Sequence, residues 1–250
     1  HIKRERATSN ICTAQALLAS MAGMYAIYHG PEGLKRIAKH IHSSAALVSD
    51  KLEELGYKQE NKEYFDTLRI KLPDNVKAED IRKVALKNEV NFCYVDEKTI
   101  GISMDEKTLI SDINTILKIF AAPVKKDAPQ VSEIADEQRF GKKFNRESDF
   151  LTMDLFNRYH SETSMMRYIK KLERKDYSLA HSMISLGSCT MKLNAATALF
   201  PLSWPEFTGI PPYVPNDQAE GYLELIKGLE EQLKTITGFS AFSFQPNSGA

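Results

Sequence analysis

The hydrophobic pattern changes its rhythm several times along the chain. From Ala7 to Pro31 there is no Asp, Glu, Lys or Arg, and Ala14, Ala16, Ala19, Ala22, Gly23 and Ala26 supply small side chains between the larger apolar ones. That composition predicts a helix buried in a large protein and packed closely on its neighbours. The stretch is about as long as a membrane span, but Ser9, Asn10, Gln15, Ser20 and His29 interrupt it, which argues against a span. A second helix opens at Pro31 and Glu32, since proline suits a first turn and a carboxylate there complements the helix dipole. Its apolar positions Leu34, Ile37, Ile41, Val48, Leu52 and Leu55 fall at spacings of three, four and seven, and Gly56 ends it. Next, YFDTLRIKL alternates as a strand and VKAEDIRKVALKN reads as a short helix. NFCYVD and TIGISM read as strands joined by the polar DEKT, and TLISDINTILKIF as a helix. Residues 31–121 thus describe a small α+β domain with a helical layer on one sheet.

Periodicity is lost over 122–149, where Pro, Lys and Asp accumulate, and this stretch reads as an inter-domain linker. Helical runs follow in LTMDLFNRYHSETSMMRYIKKLERKD. Residues 181–215 then form a long irregular run whose only formal charges are Lys192 and Glu206. So apolar a run is predicted to lie against a large body of protein. Asp217 and Glu220 suggest a capping box for a helix carrying Leu225, Ile226, Leu229, Leu233 and Ile236, ended by Gly238. FSAFSF alternates as a strand and QPNSGA turns after it. Such a turn is either an ordinary connection or the place where backbone N–H groups meet a phosphate.

Charge and cysteine usage narrow the partners. The chain has 33 basic and 33 acidic residues, so nothing in its balance draws it to nucleic acid or an anionic membrane. Cys12, Cys93 and Cys189 lie far apart with no C-x-x-C, which suits a reducing compartment and argues against a zinc site. The chain begins with His1 in place of Met and continues in a charged cluster instead of a signal peptide, so its start reads as cut.

Ser188, Cys189, Thr190, Lys192 and Asn194 crowd polar groups into an apolar setting. They must face partners or a wet pocket, whether in a site or in a turn that satisfies itself. Cys189 is a candidate nucleophile or a small buried thiol. His160 and His181 are candidate proton carriers or structural histidines. His40 and His42, two apart on a helix, point to different faces and do not form a metal pair. Thr8, Ser9 and Asn10 read as an N-cap ahead of a cofactor role.

RERATSNICTAQALLASMAGMYAIYHGPEGL, RYHSETSMMRYIKKLERKDYSLAHSMISLGSCTMKLNAA and FSFQPNSGA closely resemble, in this order, the glycine decarboxylase P protein of the glycine cleavage system. The resemblance covers essentially the whole chain, and SLGSCTMKLN is its most specific part. It implies an α/β protein of two homologous halves, each with the fold type I architecture of pyridoxal phosphate (PLP) enzymes. Residues 1–30 would end the first half's large domain and 31–121 form its small α+β C-terminal domain. After the 122–149 linker, 150–218 would be the N-terminal arm of the second half and 219–250 the start of its PLP-binding large domain. Ser248, Gly249 and Ala250 would begin the turn that holds the PLP phosphate. Ser188, Cys189, Thr190, Lys192, Asn194 and His160 would lie at the active-site mouth. Lys192 is not the Schiff-base lysine, which in this family follows a histidine in a motif lying well beyond residue 250.

The activity implied is PLP-dependent oxidative decarboxylation of glycine, with the aminomethyl group passed to the lipoyl group of the H protein. The implied setting is a homodimer working with the other parts of the glycine cleavage system, in the bacterial cytoplasm or the mitochondrial matrix. Two rivals stand beside it: an architectural segment that joins the halves and supports dimerisation, and an enzyme of the same fold acting on another amino acid. If 31–121 folds as a unit with an exposed linker behind it, limited proteolysis cuts first between about 122 and 149. Preferred cleavage within 62–104 would place the boundary elsewhere.

Overall fold

The computed structural model describes residues 13–135, 141–175 and 195–244. It mixes helix and sheet in two compact units, one of Ala26–His160 and one formed by His1–Tyr25 with Ser161–Ala250.

The first unit is built on a sheet covered on one face. Helix α1 (Thr13–Leu55) leads through β1 (Lys58–Gln59) and β2 (Thr67–Lys71) to α2 (Ala78–Lys87). Then come β3 (Cys93–Asp96), β4 (Thr99–Ser103) and α3 (Ile110–Val124). The four strands pair antiparallel in the order β1-β2-β4-β3. Leu68 stands opposite Ile102 and Ile70 opposite Ile100. Because side chains alternate across a strand, this register sends all four aliphatic groups to one face. They are buried there with Val48 and Leu52 of α1, Ile81 and Ala85 of α2, and Ile113, Leu117 and Phe120 of α3. The ring of Phe120 meets Tyr57 and Phe92 edge-on at 5.1 and 5.4 Å. The Tyr57 hydroxyl donates to the Phe120 carbonyl at 2.7 Å, and burial pushes its phenol well above the ordinary tyrosine range.

Element ends are made by short-range chemistry. Asp80 and Asp112 each accept the backbone N–H three residues earlier, from Lys77 at 2.9 Å and Leu109 at 2.8 Å, and so start α2 and α3. Gly56, at φ 100°, closes α1 while Tyr57 N–H returns to Leu52 O at 3.0 Å. The Lys126 ammonium donates to the carbonyls of Glu54 and Leu55 at 3.2 and 2.9 Å, satisfying oxygens that the helix end leaves open. The DEKT connection is the turn expected: Lys98 N–H donates to Asp96 Oδ1 at 2.8 Å, and this bond is the main reason the Asp96 carboxyl sits below its usual range. Lys98 Nζ reaches across to the carbonyls of Pro73, Asp74 and Val76 at 3.2, 2.8 and 2.7 Å, fixing the loop before α2.

Part of the stretch read as linker lies along this core. Ala128, Val131 and Ile134 pack against it, and Asn114 exchanges two 3.0 Å bonds with the backbone of Val131. A protease is therefore expected to spare 128–134.

The second unit contains α4 (Glu162–Glu173), α5 (Pro205–Thr208) and α6 (Glu220–Thr237). Ser161 caps α4, trading bonds with Ser164. Two expectations change here. Helix α6 starts after Ala219 with no side-chain cap, because Asp217 is already in a 3-10 turn over Asn216–Gln218; Gly238, at φ 76°, does end it. Residues 239–244 form no strand, since among the described residues nothing lies alongside to complete a ladder. The apolar stretches expected to lie against a large body of protein are uncovered within this chain, Leu17 and Leu18 being each 66% exposed and Phe200, Leu202 and Trp204 open as well. Among the described residues no element covers them.

Among the described residues no helix is long and apolar enough to cross a membrane. Two substitutions test the packing. Leu68→Ala should cost about 2–5 kcal/mol by leaving a cavity under the sheet, read as lost exchange protection in β2 and β4. Lys98→Met should cost about 1–3 kcal/mol by stranding three carbonyls, with the loss concentrated at residues 73–78.

Candidate functional site

The first unit carries a break in α1 that sequence chemistry requires. Pro31 lacks an N–H and its ring drives the preceding residue out of the helical region. Gly30 responds with φ 62° and ψ −179°, a conformation closed to side chains other than hydrogen. The second helical segment restarts at Pro31. The carbonyl of Tyr28 then finds a partner from far along the chain: His160 Nδ1 approaches it at 2.8 Å, and since a carbonyl only accepts, Nδ1 carries the proton. The contact is close. A Cβ on Gly30 would fall 2.6 Å from His160 Cε1 and 2.6 Å from the Phe156 carbonyl oxygen.

Around the break lies a cleft of about 430 Å³ lined by Tyr28, Gly33, Arg36, Asn157 and His160. A larger groove of about 810 Å³ continues beside the second helical segment, between Glu32, Lys35 and Lys39 on the helix and Arg146, Phe150 and Leu151 opposite. Its charges alternate. Lys35 bonds Glu32 at 2.8 Å and holds that carboxyl below its usual range, with Arg36 and Lys39 adding to the effect. The Phe150 ring lies between two cations, Lys35 Nζ at 5.9 Å and the Arg146 guanidinium at 5.1 Å. Such a surface is suited to holding chain or an extended polar partner, and no nucleophile with its base stands in it.

Of the residues that the sequence singles out, the structure positions His160, half of whose ring chemistry is committed to the Tyr28 carbonyl. Ser188, Cys189, Thr190, Lys192 and Asn194 lie outside the described residues, as do Ser248, Gly249 and Ala250, His181, Cys12, and Thr8, Ser9 and Asn10. His40 and His42 bond to different carbonyls, Thr108 O at 3.0 Å and Phe65 O at 2.8 Å. Cys93 is an exposed free thiol on β3. Among the described residues no cluster of His, Cys, Asp and Glu is placed to hold a metal ion. The groove between helix and return segment was missed in the sequence. Its one signal was the Gly30-Pro31 pair, which marks a break but not what returns to it.

Comparison with known proteins shows what the chain resembles. The family model described as glycine cleavage system P-protein matches residues 1–120. A glycine dehydrogenase (decarboxylating) of Bacteroides thetaiotaomicron is 57% identical over 250 residues, all of this chain and 26% of that protein. The mitochondrial glycine dehydrogenase (decarboxylating) of Mus musculus is 50% identical over 253 residues, again all of this chain and 24% of that protein. The solved inhibitor-bound glycine decarboxylase (P-protein) aligns at 25% identity over 49% of this chain and 28% of its own, with a TM-score of 0.39, too slight a likeness to define the fold. The chain spans about a quarter of the length of the curated relatives it matches. Along its whole length the chain is similar to glycine dehydrogenases (decarboxylating), and its first 120 residues match the glycine cleavage system P-protein model.

Proposed function

We propose that this chain is part of a longer PLP-dependent enzyme that decarboxylates glycine and passes the aminomethyl group to the lipoyl group of an H protein. The observation that carries the reading is 57% identity, across every residue of the chain, to a glycine dehydrogenase (decarboxylating). We further place the chain across the junction of two fold type I halves, with 31–121 as the small domain of the first, 122–149 as the connection, 150–218 as the arm of the second and 219–250 as the start of its PLP-binding domain. A homodimer, cytoplasmic in a bacterium or in the matrix of a mitochondrion, belongs to the same proposal.

PLP, when bound, draws electrons from the glycine Cα so that CO2 can leave, and the oxidised lipoyl disulfide accepts the carbon that remains. The donor set of Ser248, Gly249 and Ala250, backbone N–H groups with one hydroxyl, suits a phosphate, and a glycine lets backbone approach an anion closely. The task assigned to these residues is to hold and orient that phosphate. Ser188, Cys189, Thr190, Lys192 and Asn194 are assigned to the mouth of the site, where hydroxyls, an amide and one ammonium can meet the carboxylate of glycine or the incoming lipoyl arm. An architectural role draws support from one observation, the uncovered apolar side chains of α6: Leu225, Ile226, Leu229 and Ile236 are exposed and need a neighbour.

The full-length enzyme separates these roles. Gly249→Val should weaken PLP binding about thirtyfold to several-thousandfold, since one or two charge-assisted hydrogen bonds of about 2–5 kcal/mol in total are lost, while Ser248→Ala should cost less because its backbone N–H survives. Lys192→Ala should keep the absorbance of the bound cofactor and lose glycine turnover. If Lys192→Ala abolishes that absorbance while Gly249→Val leaves PLP affinity unchanged, both assignments fall.

A further inference from the structure

Along α6, Tyr222, Ile226, Leu229, Leu233 and Ile236 follow one another at steps of four, three, four and three. That spacing keeps apolar groups in one seam down a helix. Here the seam is open. No residue of α6 is buried: Ile226, Leu229 and Ile236 are exposed, and Tyr222 and Leu233 are half-buried. Leu223 and Leu225, also exposed, widen the apolar surface on either side. A groove of about 490 Å³ beside it, past Leu225, Gly228 and Leu229, leaves room for side chains of a neighbour. The surface continues beyond the helix. Phe207 meets Tyr222 at 6.1 Å and Trp204 at 6.0 Å, the Tyr222 hydroxyl donates to the Phe207 carbonyl, and Trp204 and Phe207 are themselves exposed.

Length and charge choose what covers it. The seam lasts two heptads, whereas a coil between separate chains is read only from about three or four, so α6 laid on α6 of a second copy would hold little by itself. A surface that receives a separate protein carries a polar rim that steers and registers the partner. This one does not. The positions flanking the seam are Leu223, Glu230 and Thr237 on one side and Leu225 and Gln232 on the other, and the single charge among them, Glu230, lies 3.7 Å from Lys234 of the same helix. Relatives similar along this whole chain are about four times as long, since it covers 26% of one and 24% of another. An apolar layer is therefore available in the same polypeptide.

We propose that the α6 seam, continuous with Phe207 and Trp204, is an interior surface covered by an apolar layer of the same full-length polypeptide that lies outside these 250 residues. A second copy and a separate partner protein are the occupants this excludes. The inference rests on reading the chain as part of a longer protein, and it needs nothing from the reaction assigned to that protein.

Hydrogen exchange on the full-length protein, followed over a dilution series with the mass in solution measured by light scattering, tests it. Residues 222–236 should stay protected at every concentration. Ile226→Ala and Leu229→Ala should each speed exchange across 220–237 by about tenfold or more without changing the mass, while Lys227→Ala, off the seam, should leave it within about twofold. Protection that vanishes as the mass halves would hand the seam to a second copy and overturn the proposal. Exchange as fast as in an uncovered helix at all concentrations would leave the seam in water and overturn it too. Glycine turnover on the same samples keeps the two readings apart: turnover with an unprotected α6 sinks the covering alone, and a protected α6 without turnover sinks only the assigned reaction.

Discussion

The Ala26–His160 unit depends on the antiparallel pairing of β2 with β4. With Leu68 facing Ile102 and Ile70 facing Ile100, the sheet presents one unbroken aliphatic patch, and α1, α2 and α3 cover it. A slip of a single residue would turn those four groups to water and bring Thr67, Arg69, Lys71 and Ser103 inward. Everything else in the unit supports that register. The Asp96 turn fixes where β4 begins, Lys98 holds the loop entering α2, and the Tyr57 hydroxyl ties the end of α1 to the Phe120 backbone.

Elements whose causes are local were legible in the sequence. The spacing of Leu34, Ile37, Ile41, Val48, Leu52 and Leu55, with Pro31 before and Gly56 after, specifies a helix and its ends without reference to the rest of the chain. The strands around DEKT follow from alternation and one Asx turn in the same way. FSAFSF failed as a strand because alternation states only which face would be buried; a ladder needs a second strand, and none lies beside it among the described residues. Asp217 failed as a cap for a neighbouring reason. Pro215 and Asn216 start a 3-10 turn that takes the aspartate before the helix begins. The groove beside α1 depends on residues 132 positions apart in sequence, Tyr28 and His160, and no periodicity reports such a meeting.

The site was legible in a different sense. Composition shows that SCTMKLN cannot be buried without partners, and resemblance says what those partners would be, but only a fold brings them together. His160 illustrates the gap. Sequence leaves it either a proton carrier or a structural histidine, and the structure gives its Nδ1 a backbone partner and its ring a glycine to rest on. Uncovered apolar groups on α6 and along Leu17 and Leu18 make the same point for surfaces, since a helical stripe announces a neighbour without naming it.

The strand β3 lies at the edge of the sheet and changes register against β4 between Tyr94 and Asp96. An edge of free N–H and C=O groups invites another chain to add a strand, above all in a crowded cell where many copies are being synthesised and are not yet fully folded. The irregularity spoils that template. A second copy laid along β3 would fall out of step after two residues, and Asp96 would present a carboxylate there. A small defect in one ladder thus acts as a solubility device, guarding the protein during the interval when its remaining surfaces are still uncovered.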